Sequence, residues 1–179
     1  RTLTIREGKN TGSRMVELTT AAAEEVGFDD GVLPNEQVAQ LFCDWITHAA
    51  EQASISLSSV YWTQHIAQRG QRTRFVHRCL HGDRMLAEVL RVGQGPALRF
   101  DVHPRAFFQP NTLQAQRLYA EVIAAAAPDV QGRLGDVLDL YCGTGTIALC
   151  LASYARSVTG IELVEEAVIN ARQSATNNG

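Results

Sequence analysis

The chain has 179 residues, a net charge of −3 at pH 7 and 45% hydrophobic residues, a composition typical of a globular protein with one domain or with a small domain and part of another. It contains no apolar run long enough to span a membrane, and no charged segment followed by an apolar one of the kind that directs secretion. The small negative charge argues against a protein that binds polyanions over its whole surface. Because the first residue is Arg1 rather than Met, we expect the natural N-terminus to lie upstream.

The first third of the chain predicts a hairpin followed by a helix. Residues 2–5 and 15–19 alternate between apolar and polar side chains, and the turn-forming residues 8–13 lie between them. Residues 34–53 carry apolar side chains at helical spacing, and we expect this stripe to face the core. Its members are Val38, Leu41, Phe42, Trp45, Ile46, Ala49 and Ala53.

Three further strands are predicted at residues 58–64, 73–80 and 84–90, with a turn at His81-Gly82-Asp83 between the last two. Together with the hairpin and the helix, they predict a small α+β domain with a mostly antiparallel sheet. We place its end at residue 103, so that the domain covers residues 1–103.

A second helix is predicted to begin at Asn111, because Asn111 and Gln114 stand three residues apart in a variant of the capping box. Residues 128–135 are predicted to form a linker into the next unit. The expected buried face of the helix consists of Leu118, Tyr119, Val122, Ile123 and Ala126.

From residue 136 the pattern becomes strand (137–141), helix (145–155), strand (157–161) and helix (164–175), which is typical of the beginning of a doubly wound parallel sheet. Two parallel strands do not make such a domain, so we expect residues 104–179 to be a truncated part of one, with an uncovered sheet that favours self-association. The expected buried face of the last helix consists of Val164, Ala167, Val168, Ala171 and Ala175.

A glycine-rich turn joins the first of these strands to its helix. Gly143 and Gly145 permit a sharp turn and a close approach of the backbone to a ligand, and the helix start adds free N–H groups. Glu162 ends the next predicted strand, 19 positions after Gly143, where a carboxylate can accept hydrogen bonds from ribose hydroxyls. The pattern therefore predicts a site for a nucleotide-type ligand.

Asp139 decides between two such ligands. Gly143, Gly145 and Ala148 also fit the G-x-G-x-x-A pattern of dinucleotide-binding units. A carboxylate just before the glycines would repel a pyrophosphate, whereas it would attract the cationic sulfonium and amino groups of S-adenosylmethionine. We therefore predict S-adenosylmethionine, with a dinucleotide as the alternative; Asp139 could also hold the loop by accepting its N–H groups.

Several segments together resemble the RNA uracil-C5 methyltransferases, which form 5-methyluridine in ribosomal or transfer RNA. They are FDVHPRAFFQPNTLQAQRLY at 100–119, VLDLYCGTGTIALCLA at 137–152 and VTGIELVEEAVINARQSATNNG at 158–179. IREGKNTGSRMVELTT at 5–20 and LHGDRMLAEVL at 80–90 resemble the central domain of the same family. The resemblance implies an α/β fold, in which the beginning of a Rossmann-like methyltransferase sheet follows a small α+β central domain with an antiparallel sheet.

The resemblance also implies roles for single residues. Gln109 matches a family glutamine at the cofactor and target-base pocket, and Tyr141 matches the aromatic residue beside the glycine loop. Glu162 matches the ribose-binding acid, whereas Thr146 stands where several members have asparagine. The predicted cofactor-binding residues are Gln109, Asp139, Tyr141, Gly143, Gly145, Thr146 and Glu162.

The family's chemistry requires a cysteine thiolate that adds to C6 of uracil, so that C5 attacks the methyl group before a base removes the C5 proton and the cysteine leaves. In the family, this cysteine and this base lie well beyond the glycine motif. We therefore expect them beyond Gly179, and we do not assign the role to Cys142, which lies in the glycine turn. The full-length protein is expected to be an enzyme, whereas this chain alone is expected to be inactive, with no catalytic residue of its own.

The charge is unevenly distributed, because residues 65–105 carry a net charge of +5 and the rest of the chain carries −8. This segment predicts either a solvated sheet face or a surface that contacts RNA phosphates, with Arg69, Arg72 and Arg74 as candidates. Phe108, like Phe107, could stack on a base or pack in the core. A non-catalytic RNA-binding module and a methyltransferase for another substrate remain the alternatives to the uracil enzyme.

The four cysteines contain no C-x-x-C pair, and the composition is sufficient for an ordinary core. These features predict reduced thiols in a cytoplasmic protein. No metal site is predicted, since the histidines do not form a ligand pattern with cysteine or carboxylate residues.

Overall fold

The computed structural model describes residues 2–22, 25–28, 31–126 and 133–179. The chain divides into two compact units, each with its own strands and helices. Unit 1 contains Arg1–Glu7 and Gly12–Leu86, and unit 2 contains Gly8–Thr11 and Ala87–Gly179.

Unit 1 is built on a four-stranded sheet. In the order β1-β2-β5-β6, the outer pairs β1–β2 and β5–β6 are antiparallel and the central pair β2–β5 is parallel. The predicted hairpin, helix and mostly antiparallel sheet are confirmed, and the parallel pair arises because the chain crosses back through a helix. The elements are β1 (Thr2–Glu7), β2 (Arg14–Ala21), β3 (Glu25–Phe28), β4 (Gly31–Pro34), α1 (Asn35–Gln52), β5 (Ser59–Ile66) and β6 (Arg74–Gly82).

Helix α1 buries a different face from the predicted one. Its buried residues are Asn35, Ala39 and Cys43, spaced four apart on one side of the helix. Small side chains on this side let α1 lie close to β3, β4 and β6. Leu41 and Trp45, which the apolar stripe placed in the core, are 57% and 66% exposed, so that part of the prediction is wrong.

Unit 2 contains the predicted succession of strand, helix, strand and helix, and its strands β9 and β10 are parallel. A separate two-stranded sheet pairs β7 with β8. Residues 127–132, which make up most of the predicted linker, lie outside the described residues. The elements are β7 (Leu86–Arg91), β8 (Ala97–Val102), α2 (Thr112–Ala125), β9 (Leu134–Leu140), α3 (Thr146–Ala152), β10 (Ala155–Ile161) and α4 (Glu165–Asn178).

Strand β7 pairs with β8, and β8 contacts α4. The two compact units divide after Leu86, whereas the domain boundary at residue 103 stays a prediction. The turn predicted at His81-Gly82-Asp83 is wrong, because His81 and Gly82 belong to β6 and pair with β5. The Asp83 N–H extends this pairing by donating to the Ser58 carbonyl at 2.8 Å.

Helix α2 begins as predicted, because the Asn111 side chain accepts a hydrogen bond from the Gln114 N–H at 3.1 Å. Tyr119 and Ile123 lie on its buried face. Leu118, which was expected on the same face, is 51% exposed, because the buried side also includes the small residues Thr112 and Ala115.

Helix α4 packs through polar side chains as well as through part of its predicted apolar face. Its buried residues are Asn170 and Ser174. Asn170 donates to the Asp101 carbonyl at 2.7 Å, and Asn178 donates to the Arg99 carbonyl at 2.7 Å. Of the five residues expected to be buried, Val164 and Ala175 are exposed, whereas the other three are half-buried.

Among the described residues, no helix combines the length and apolar character needed to cross a membrane. In the same part of the chain, no group of three or more His, Cys, Asp or Glu side chains could hold a metal ion. All four cysteines are free thiols.

Candidate functional site

The candidate site lies at the carboxyl end of β9, where the chain turns sharply into α3. Leu140 and Ile161 are register partners in the parallel pair, so Tyr141 and Glu162 follow at the same edge of the sheet. Tyr141 adopts a φ of +60° and is 90% exposed. A non-glycine residue in this region is uncommon, and such residues concentrate at functional sites.

Gly145 shows why the turn requires glycine. Its φ is +74°, and it precedes the first residue of α3. A Cβ atom at this position would lie 3.2 Å from the Cβ of Ala171 in α4. Both the backbone angle and the close approach of the two helices therefore disfavour a side chain here.

Glu162 receives three backbone N–H groups from around the turn. Its Oε2 accepts from Gly143 at 3.0 Å, and its Oε1 accepts from Leu163 at 2.7 Å and from Val164 at 2.8 Å. The Val164 N–H, followed by the Gly143 N–H, lowers the pKa of this carboxyl group below its usual value. Because a carboxylate offers about four acceptor positions, Glu162 stays ionised with capacity for a further donor.

Asp139 lies at the end of β9 and is bonded to helix α3. Its Oδ2 accepts from the Ala148 N–H at 3.1 Å. Burial raises the pKa of this carboxyl group, and the Ala148 N–H partly opposes the rise. The bond connects the strand to α3 rather than to the loop itself, and a carboxylate at this position would attract a cationic group when it is ionised.

A cavity of about 230 Å³ opens beside the loop. Arg105 and Glu166 both line it and form an ion pair at 3.0 Å. Because ligand pockets usually measure roughly 300–1,000 Å³, the cavity suits one part of a nucleoside-sized ligand. It is lined by His103, Arg105, Ala106, Phe107, Gly143, Thr144, Glu162, Val164, Glu166 and Ala167.

The structure brings most of the predicted cofactor residues together around this turn. Gly143 and Glu162 line the cavity, and the Thr146 hydroxyl bonds to that of Thr144 at 2.9 Å. Gln109 and Tyr141 lie in the flanking segments without lining the cavity. The ligand roles of all seven residues stay predictions.

Sequence reasoning missed Arg105 as part of this site, although the residue lies within the segment that carried the resemblance. The structure also distinguishes the two neighbouring phenylalanine rings. Phe108 packs against the core residue Phe100, with ring centroids 5.5 Å apart, whereas Phe107 is 74% exposed and lines the cavity.

The predicted phosphate-contacting arginines belong to unit 1. Arg69 and Arg72 lie in the connection between β5 and β6, and Arg74 is the first residue of β6. All three are exposed.

Among solved structures, the chain is similar to the Pyrococcus abyssi tRNA (uracil-54, C5)-methyltransferase in complex with S-adenosyl-L-homocysteine. The TM-score is 0.60 at 24% sequence identity, and the match covers 99% of this chain and 37% of that one. This likeness supports the α/β methyltransferase fold predicted above.

Relatives of similar sequence are named as uncharacterized RNA methyltransferases. One from Protochlamydia amoebophila is 38% identical over the whole of this chain and 40% of its own length. Another from Streptococcus agalactiae is 31% identical over the whole of this chain and 34% of its own length. The chain thus spans well under half the length of these relatives.

The chain can also be compared with the sequence pattern shared by the members of a whole family. The pattern described as tRNA (Uracil-5-)-methyltransferase matches residues 38–179, which is most of the chain and includes the glycine turn, both acidic residues and the cavity. The chain belongs to the tRNA (uracil-5-)-methyltransferase family.

Proposed function

We propose that this chain provides the cofactor-binding part of an S-adenosylmethionine-dependent methyltransferase that forms 5-methyluridine in ribosomal or transfer RNA. The observation that carries the proposal is the pair of acidic side chains on either side of the glycine turn. Glu162 accepts the Gly143 N–H of the turn, and Asp139 accepts the Ala148 N–H at the start of α3. This arrangement suits a ligand with both a cationic group and a ribose, rather than a pyrophosphate.

The bound cofactor would supply an electrophilic methyl group to the target base. Glu162 would accept a ribose hydroxyl group, since its carboxylate remains ionised and has acceptor capacity beyond its three N–H bonds. Asp139 would orient the cationic end, and Gly143 would let the backbone approach the ligand without a side chain in the way.

The target uracil would be contacted by residues 103–111. We propose that Gln109 contacts the cofactor or the uracil edge, because an amide can both donate and accept hydrogen bonds. Of the two neighbouring rings, Phe107 is better placed for a target base, since it is exposed and lines the cavity.

The experiment that tests this function is nucleoside analysis of unmodified RNA incubated with S-adenosylmethionine and the full-length protein. We expect 5-methyluridine as the product. A methyl group on another atom of the base, or methylation of a protein in place of RNA, would contradict the proposal.

The 179-residue chain by itself is expected to bind S-adenosylmethionine but to form no 5-methyluridine. Burial raises the pKa of Cys43 and Cys142 and raises that of Cys150 to about 12, so these sulfurs remain thiols at neutral pH. The Cys79 Sγ donates to the backbone carbonyl of His81 at 3.4 Å. These observations support the proposal that no cysteine of this chain acts as the nucleophile.

Calorimetry with S-adenosylmethionine and a methyl-transfer assay on the same sample check this prediction, with the full-length protein as the control. Robust turnover by the 179-residue chain would contradict it. Binding of RNA without any binding of S-adenosylmethionine would instead favour the non-catalytic RNA-binding module.

We also propose that the chain self-associates through the sheet of β9 and β10. Leu138, Leu140 and Ile161 are each more than half exposed on these two strands, and an exposed apolar sheet favours association. Light scattering after size-exclusion chromatography should show a mass that rises with concentration, and Leu138→Lys should reduce the rise. Leu118→Lys, at a 51% exposed position on α2, is the control; a constant monomer mass would overturn the proposal.

The free state of all four cysteines supports the proposed reducing, cytoplasmic compartment.

A further inference from the structure

The connection between β5 and β6 is the most cationic exposed segment of unit 1. We name residues 65–76 the β5–β6 arm; residues 67–76 are all exposed. No aspartate or glutamate occurs from residue 52 to residue 82, a stretch that contains Arg69, Arg72, Arg74 and Arg78. The arm therefore has a positive local charge within a chain that is negative overall.

Three of these arginines are available for a partner. Arg78 pairs with Glu36 of α1 at 2.9 Å. Arg69, Arg72 and Arg74 form no ion pair within the part of the chain that the structure describes. An alternative role for these arginines is to prevent strand pairing between molecules, since charges on an edge strand discourage it. That role would not require an aromatic surface beside the charges.

An aromatic surface is nevertheless present on the arm. His65 and Phe75 are register partners, and their rings stack with centroids 4.9 Å apart and an angle of 19° between the planes. His77 continues the row, with its ring 6.3 Å from that of Phe75. Phe75 is 46% exposed, so the row presents a supported ring to solvent.

Phe75 is the exposed end of this row. The His77 side chain is only 13% exposed, and its Nδ1 lies 2.8 Å from the Thr63 hydroxyl oxygen. A ligand from solvent would therefore contact the row through the Phe75 ring, which is 46% exposed.

We propose that the β5–β6 arm binds single-stranded RNA, with one unpaired base stacked on Phe75 and with phosphates contacting Arg69, Arg72 and Arg74. This inference rests on the proposed function, which makes RNA the substrate. An exposed ring with unpaired arginines nearby is the combination that holds single strands, because every base has a face that can stack and every nucleotide has a phosphate.

The test is fluorescence anisotropy of a labelled, unstructured RNA of about 15 nucleotides with the 179-residue chain, from about 50 to about 200 mM salt. Phe75→Leu should weaken binding roughly 5- to 100-fold, whereas Phe75→Trp should preserve it because tryptophan also stacks. Arg72→Ala and Arg74→Ala should each reduce the salt slope by about 0.7. Trp45→Ala, an exposed aromatic on α1, and Arg117→Ala, an exposed arginine on α2, are the matched controls and should change neither quantity.

Equal binding by Phe75→Leu and the parent chain, equal losses in the control variants, or a preference for duplex RNA would each overturn the inference. Its failure is separable from that of the proposed function, which is measured as 5-methyluridine formation by the full-length protein. If the full-length protein forms 5-methyluridine but the β5–β6 arm contributes nothing to RNA binding, only the inference about the arm is contradicted. If RNA binding depends on Phe75 but no 5-methyluridine is formed, the inference about the arm stands and the proposed reaction is contradicted.

Discussion

Replacing Asp139 with Asn is expected to weaken S-adenosylmethionine binding roughly 5- to 100-fold without destabilising the fold. The side chain accepts the Ala148 N–H, and the amide oxygen of Asn can accept the same bond. The substitution therefore removes the charge while it retains the contact with α3. What is lost is the attraction between the carboxylate and the cationic end of the cofactor.

The stability of this variant follows from the pKa of Asp139. Burial raises that pKa, so the folded chain binds the proton more tightly than the unfolded chain. The contribution of this group to stability is complete below its ordinary pKa and is lost as the pH rises through the raised pKa. At neutral pH the ionised carboxylate thus opposes folding, and Asp139→Asn should unfold at the same or a higher denaturant concentration.

Cofactor binding has the opposite pH dependence. As the pH falls through the raised pKa of Asp139, the carboxyl group becomes neutral and affinity for S-adenosylmethionine should decrease. Asp139→Asn should show a flatter profile over the same range, because it has no charge to lose.

Calorimetry measures these affinities, and Asp136→Asn provides the matched control. Asp136 lies on the same strand but is exposed and pairs with Arg156. A loss for S-adenosylmethionine that exceeds the loss for S-adenosylhomocysteine would place Asp139 near the sulfonium, and an equal loss would place it near the amino group. Unchanged affinity for both ligands, or an equal effect of Asp136→Asn, would contradict the assignment.

Local sequence signals predicted the parts of the fold that depend on local contacts. The cap formed by Asn111 and Gln114, the turn at Gly143 and Gly145, and the parallel pair β9–β10 all follow from residues close together in sequence. The strand, the glycine turn and its acidic partner are likewise encoded within one short segment, and their role as a ligand site stays a prediction.

Helix faces were predicted less well, because an apolar stripe does not say which element will cover it. Leu41 and Trp45 satisfy the helical pattern of α1, yet Ala39 and Cys43 face its neighbours. The pairing of β7 with β8 was also not predicted, because no strand was expected at residues 97–102. Contacts between side chains distant in sequence have no local pattern either.

Glu88 is the clearest example of such a contact, and Glu88→Ala is expected to destabilise the chain by about 2–4 kcal/mol. Glu88 is 1% exposed. Its carboxylate accepts from the N–H groups of Lys9, Asn10 and Val89 at 2.8, 3.1 and 2.8 Å, and from the Thr112 hydroxyl at 2.5 Å. Removing the acceptor would leave several donors without their partner in a buried place.

These bonds connect distant parts of unit 2. Lys9 and Asn10 belong to the segment between β1 and β2, and Thr112 is the first residue of α2, three positions after Gln109. The Asn10 side chain adds bonds to the Val89 carbonyl at 2.6 Å and to the Gln116 side chain at 2.9 Å. Glu88 thus fixes the start of the helix that follows the predicted substrate-side segment.

Glu88→Gln keeps the size of the side chain but removes its charge and one acceptor oxygen. It therefore shows whether stability depends on the charge and the acceptors or on the size of the side chain. An amide has one acceptor oxygen, and its NH₂ group would face N–H and O–H donors, so most of the loss seen with Ala should remain. The control is Glu121→Gln, at an exposed glutamate on α2, and it should leave stability unchanged.

Denaturant titration gives the free-energy differences, and hydrogen exchange at the Lys9 and Asn10 amides gives the local readout. Both amides should exchange much faster in Glu88→Gln than in the parent chain, because each donates directly to the carboxylate. Full protection of these amides in a variant of unchanged stability would show that Glu88 does not organise this region. Faster exchange together with weaker cofactor binding would mean that the buried carboxylate also supports the cofactor site through α2 and the segment before it.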